Sequence, residues 1–105
     1  MKNIDQIIKT LTLDEKVSLL SGFNSWYTNK IEKKNVPSIK MSDGPNGVRG
    51  DSNSGKSSAC FPCAISIGST WDLPLIKNIG IALGEEAQAK DVDVLLGPTI
   101  NIHRH

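Results

Sequence analysis

The 105-residue sequence predicts an α/β fold that it leaves unfinished. Two short apolar runs, Cys63 to Ile67 and Val92 to Leu96, each end in glycine and flank a segment with helical periodicity. Strand, helix, strand over about 30 residues is the βαβ unit of a parallel sheet. A third strand candidate, Ile39 to Met41, lies upstream. Three parallel strands leave an open sheet edge and uncovered apolar faces, so such a chain is hard pressed to fold alone.

The elements follow in chain order. A short helix is expected over Ile4 to Lys9. Thr12-Leu13-Asp14-Glu15 is a capping box, in which the Thr12 hydroxyl accepts from the Glu15 amide while the Glu15 carboxylate reaches back. The helix it opens places Leu13, Val17 and Leu20 on one face, with Leu11 available to staple the entry and Gly22 to stop it. In Val36-Pro37-Ser38-Ile39-Lys40-Met41, Pro37 forbids helix and the alternation of Ile39 and Met41 predicts a short strand. Gly50 to Ser58 offers turn formers and nothing to bury, which predicts a surface loop over 51–58. Cys63 to Ile67 reads as a strand covered on both sides. Asp72 then caps a helix with Pro74 in its first turn and a stripe of Leu75, Ile76, Ile79, Leu83 and Ala87. Val92 to Leu96 is the closing strand.

Composition excludes several classes of partner. Twelve Lys+Arg stand against eleven Asp+Glu, scattered without a basic stripe, so neither nucleic acid nor an anionic membrane is expected. No apolar run approaches the roughly 20 residues of a membrane span. The start, Met1 to Gln6, is too broken for a signal-peptide core, which points to the cytoplasm and to reduced thiols at both cysteines.

The chemistry-bearing segment is Ser42-Asp43-Gly44-Pro45-Asn46-Gly47-Val48-Arg49-Gly50. It follows directly on a strand candidate, which sets a carboxylate and a guanidinium at that strand's C-terminal end, where barrel enzymes bind ligands. A carboxylate there can accept from sugar hydroxyls, and an arginine fork can clamp it or donate to the sugar. Taken alone, Asp-Gly-Pro-Asn-Gly reads first as a tight turn, and composition favours that over a binding segment.

Its company decides more. Leu-Thr-Leu-Asp-Glu-Lys-Val from Leu11, the nine residues from Ser42, Ala-Cys-Phe-Pro-Cys from Ala59, Gly-Ser-Thr-Trp-Asp from Gly68, Gly-Glu-Glu-Ala from Gly84 and Leu-Gly-Pro-Thr-Ile-Asn-Ile-His-Arg from Leu96 occur in one order. In that order and rough spacing the chain resembles the N-terminal stretch of glycoside hydrolase family 3 β-glucosidases. The resemblance implies the incomplete N-terminal part of a TIM-type (β/α)8 barrel, with a larger second domain beyond it in a complete enzyme. It implies a β-glucoside or small β-linked oligosaccharide as substrate, and it calls for no cofactor and no metal. By motif match, Asp43 is similar to the carboxylate that holds hydroxyls of the innermost sugar, Arg49 to its neighbouring site arginine, and Arg104 to a pocket-supporting arginine. The family's retaining mechanism uses a nucleophile and an acid about 5 to 5.5 Å apart. Neither has a counterpart here, so the chain alone is expected to be inactive. His105 stands where a serine usually follows the arginine, as at a truncation or frameshift boundary, and a non-catalytic remnant of an interrupted gene is the alternative reading.

Rival signals are weaker. Cys60-Phe61-Pro62-Cys63 has redox-dithiol spacing, but that chemistry needs a helix to begin at the first cysteine. Packed thiols are the expectation. His103 and His105 could share one side of a strand, yet zinc catalysis wants three protein ligands and only two histidines exist. Trp71 is expected in the core, whereas Trp26 and Tyr27 could line a pocket mouth.

Overall fold

The computed structural model describes residues 4–50 and 56–101, and contacts divide the chain after Lys40 into two units. In the first unit, α1 spans Ile4–Thr10 and α2 spans Leu13–Leu20. The capping box forms as the sequence dictates: Glu15 N–H donates to Thr12 Oγ1 at 3.2 Å and Thr12 N–H to Glu15 Oε2 at 2.8 Å. At the other end, Ser21 caps α2 by donating its N–H to Ser18 O, and the Asn29 amide reinforces the cap by donating to Ser18 O at 2.8 Å and Ser21 O at 3.1 Å. Asn24 Oδ1 accepts from the amides of Trp26 and Tyr27 and so turns the chain back on itself. Isolated antiparallel bridges then join Gly22 to Thr28, Ile31 to Val36 across a 3-10 turn at Glu32–Lys34, and Tyr27 to Lys40.

The second unit holds the α/β part. β1 (Met41–Asp43) pairs in parallel with β2 (Val94–Leu96), Met41 beside Val94, Ser42 beside Leu95 and Asp43 beside Leu96. A parallel pair needs a long crossover, and here it contains α3 (Ala64–Gly68) and α4 (Leu73–Ala89). Asp72 Oδ1 caps α4 by accepting from Leu75 N–H at 2.9 Å, with Pro74 in the first turn. Beyond α4, Val92 N–H closes onto Ala87 O at 2.9 Å. Val48, Ala87 and Val92 form the buried core of this unit, with Leu83 and Leu95 packed against them.

Several expectations are corrected. Residues 64–68 are helical, not a strand. A five-residue apolar run is too short for periodicity to decide, and the helix brings Ala64, Ile67 and Gly68, spaced i, i+3 and i+4, onto one apolar depression. The first strand lies two residues later than expected because the backbone of Ile39 is engaged elsewhere: its carbonyl accepts from Thr28 N–H and its N–H donates to Thr28 Oγ1. β2 is shorter than Val92 to Leu96, since Val92 belongs to the turn that ends α4. Trp71 is 89% exposed rather than in the core, held at φ 54° in the turn between α3 and α4. The α2 stripe of Leu13, Val17 and Leu20 is exposed, as are both cysteines, so the packed-thiol expectation fails. Of the expected surface loop, residues 56–58 are exposed and 51–55 lie outside the described residues.

Candidate functional site

Asp43 closes β1, so its carboxylate stands at the strand's C-terminal end. The chain then loops through Gly44 to Gly50 and returns to its origin: Arg49 N–H donates to Asp43 O at 3.0 Å and Gly50 N–H to Ser42 Oγ at 2.8 Å. That closure is what brings Arg49 Nη1 to 4.0 Å from Asp43 Oδ2. The side chains are 76% exposed at Arg49 and 45% at Asp43, so this outer-range ion pair is well screened and contributes little to stability. Both groups keep hydrogen-bonding capacity for a polar ligand. Two glycines make so tight a loop possible. A Cβ at Gly44 would land on the Gly47 carbonyl, and one at Gly47 on the Ala59 carbonyl.

Beneath the loop is a polar network that joins groups far apart in sequence. Glu86 on α4 accepts from Val48 N–H at 3.0 Å and from Ala59 N–H at 2.8 Å. Lys90 Nζ donates to Glu86 Oε1 at 2.9 Å, to Val48 O at 2.6 Å and to Ser58 Oγ at 2.6 Å. The Lys90 and Glu86 side chains are 6% and 17% exposed. Burial by itself would raise the Glu86 carboxyl, but the hydrogen bond from Lys90, the amides of Ala59 and Val48 and the Lys90 charge outweigh it and hold the group below its ordinary range. Two features of the sequence touched this link, the Gly-Glu-Glu-Ala motif that contains Glu86 and the i, i+4 order of Glu before Lys, but neither named its backbone partners.

The other candidates separate. Arg104, His103 and His105 lie outside the described residues. Among the described residues, no group of three or more His, Cys, Asp or Glu is placed to hold a metal ion. α3 begins after Cys63, which is its N-cap, and not at Cys60, so the geometry a redox dithiol requires at the first cysteine is missing. In the first unit, Tyr27, under the Lys40 ammonium at 5.8 Å, lines an open depression of about 570 Å3 with Phe23, Asn29 and Ser38, while Trp26 is half-buried beside it in sequence. In the second, Pro45, Ile67, Ile76, Ile79, Leu83 and Leu95 line an apolar depression of about 450 Å3.

Comparison with known proteins agrees with the motif order. The family model described as the glycosyl hydrolase family 3 N terminal domain matches residues 2–105. A β-glucosidase of Rhizobium radiobacter is 54% identical over 103 residues, which are 96% of this chain and 13% of that protein. A probable β-glucosidase I of Emericella nidulans is 50% identical over 97% of this chain and 12% of its own length. Among solved structures, the β-glucosidase of Kluyveromyces marxianus in complex with glucose superposes with a TM-score of 0.86 at 40% identity, over 95% of this chain and 12% of that one. The chain thus spans only a small part of the relatives it matches.

Proposed function

This chain belongs to glycosyl hydrolase family 3, within that family's N-terminal domain, and from that premise we propose that it forms the opening part of a (β/α)8 barrel and supplies sugar-positioning side chains to a β-glucosidase. The observation that carries the reading is Asp43 at the C-terminal end of β1, with its carboxylate half exposed beside Arg49. In barrels that end faces the ligand. The Asp43 carboxylate accepts from hydroxyls of a terminal β-D-glucosyl residue, and the Arg49 fork orients the carboxylate or donates to the sugar itself. Such bonds accelerate hydrolysis only insofar as they tighten while the ring distorts toward its oxocarbenium-like transition state. Arg104 supports the pocket. The substrate is a β-glucoside or small β-linked oligosaccharide, no cofactor takes part, and the setting is the cytoplasm.

By themselves the 105 residues do not hydrolyse the substrate, because positioning cannot replace the nucleophile and acid of a retaining mechanism. The test joins residues 1–105 to the remainder of a related β-glucosidase. In that chimaera Asp43→Ala lowers kcat/KM by about one to two powers of ten, the worth of a charge-assisted bond. A value within about threefold of the parent returns Asp43-Gly44-Pro45 to the status of a turn.

A second reading, a non-catalytic remnant of an interrupted gene, draws on the exposed apolar side chains of α2, α3 and α4. Translating the DNA downstream of His105 in all three frames separates the two. A Gly-Arg-Gly-Phe-Glu sequence in a shifted frame within about ten codons supports the remnant, and one in the same frame supports the working enzyme.

A further inference from the structure

The sugar-site loop is held from behind. Val48, immediately before Arg49, has both backbone poles fixed by one helix: its N–H donates to Glu86 and its carbonyl accepts from Lys90. Its side chain is fully buried against Ala87 and Val92. On the other side of Arg49, Gly50 N–H is tied to Ser42 Oγ. The same two side chains reach the returning segment, where Glu86 accepts from Ala59 N–H and Lys90 donates to Ser58 Oγ, and Ser58 Oγ in turn donates to Val48 O at 2.7 Å. Phe61 N–H completes the brace by donating to Asn46 O at 2.7 Å.

We propose that Glu86 on α4 and Lys90 at its C-cap are positioning residues for the sugar site, a paired clamp that fixes the backbone on which Arg49 is carried and, through Arg49, the Asp43 carboxylate. The inference rests on the sugar-site reading of Asp43 and Arg49. Two features separate a clamp from ordinary stabilisation. Its polar contacts converge on the two backbone poles of Val48, the Ala59 amide and the Ser58 hydroxyl, two short segments on either side of the loop. The residue between its anchor points, Arg49, makes its own backbone bond to the candidate sugar-binding Asp43. A side chain as exposed as Arg49 has little packing of its own to hold it, so its direction is inherited from the backbone beneath. A small misplacement of positioning groups is costly in rate, about a hundredfold per ångström in the steepest cases.

The test is a double-mutant cycle in the chimaera of residues 1–105 with a related β-glucosidase. Lys90→Met should lower kcat/KM on an aryl β-glucoside about tenfold, and Lys90→Arg should recover most of that loss. Glu86→Gln, close in shape but short of one acceptor, should cost about threefold and speed amide exchange at Val48 or Ala59. On an Asp43→Ala background Lys90→Met should add less than about twofold, because the clamp acts through the group already removed. If Asp43→Ala is effective and Lys90→Met is either silent or fully multiplicative with it, the clamp inference is overturned while the sugar-site reading stands. If Asp43→Ala is itself without effect, the sugar-site reading falls and the clamp with it.

Discussion

The two ends of α4 are built for different neighbours. At its C-terminal end, Glu86, Ala87 and Lys90 find every partner named above within residues 42–92, and the charge pair there is almost wholly withdrawn from water. Toward the N-terminal end, Ile76 and Ile79 look onto an open apolar depression and Leu73 is exposed. The difference shows what a short stretch of an α/β chain can complete by itself. Hydrogen bonds are directional and saturable, so one carboxylate and one ammonium can close a network with two backbone segments. Apolar burial is proportional to area, and a two-stranded sheet supplies too little of it to cover a 17-residue helix.

That contrast can be broken most severely at Lys90. Lys90→Met leaves the Glu86 carboxylate and the Val48 carbonyl without their buried cation, and since Glu86 retains some solvent the expected loss is about 2 to 3 kcal/mol. Amide-exchange free energies over residues 46–50 and 56–61 and the last two turns of α4 should fall together. An effect confined to α4 would mean that the loop is held by other contacts.

Acid attacks the same link. Because the folded-state Glu86 carboxyl lies below its ordinary value of 4.5, its contribution is complete above the unfolded value and is lost as pH falls through the folded one. Protection at Val48 and Ala59 should therefore fade below about pH 4.5, and Glu86→Gln should flatten that part of the profile. An unchanged slope in the variant would assign the acid transition to other carboxylates.

Val48→Ala removes two fully buried methyl groups at the centre of the core, with an expected cost of about 2 kcal/mol and little change in the pH profile. Asp72→Ala removes the cap at the opposite end of α4 and should cost about 1 kcal/mol, read as faster exchange in the first turn only. Smallest of all, Ile79→Ser on the uncovered face should change stability by less than about 1 kcal/mol, since that site gains little from burial within this chain. It should nonetheless reduce binding of a hydrophobic dye, and a large stability loss would show that the depression is covered in solution.

Features whose physics closes within a few residues were legible in the chain. Thr12 and Glu15 lie three positions apart, as do Asp72 and the Leu75 amide, so both helix starts could be read from the chain. The placement of Asp43 at a strand end followed from the apolar alternation before it and the turn formers after it, even though the strand itself lay two residues further on. The order of six motifs was enough to place the chain in its family.

Tertiary structure alone decided the rest. Whether residues 64–68 became strand or helix depended on which face found apolar neighbours, a choice that so short a run cannot encode. Ile39 was kept out of β1 by Thr28, which engages its carbonyl and its N–H. Glu86 and Lys90 read locally as an ordinary i, i+4 pair on a helix surface, yet their decisive partners lie 38 and 42 positions away at Val48. A backbone amide has no sequence signature, since every residue but proline carries one, and only the fold determines which of them meets a carboxylate.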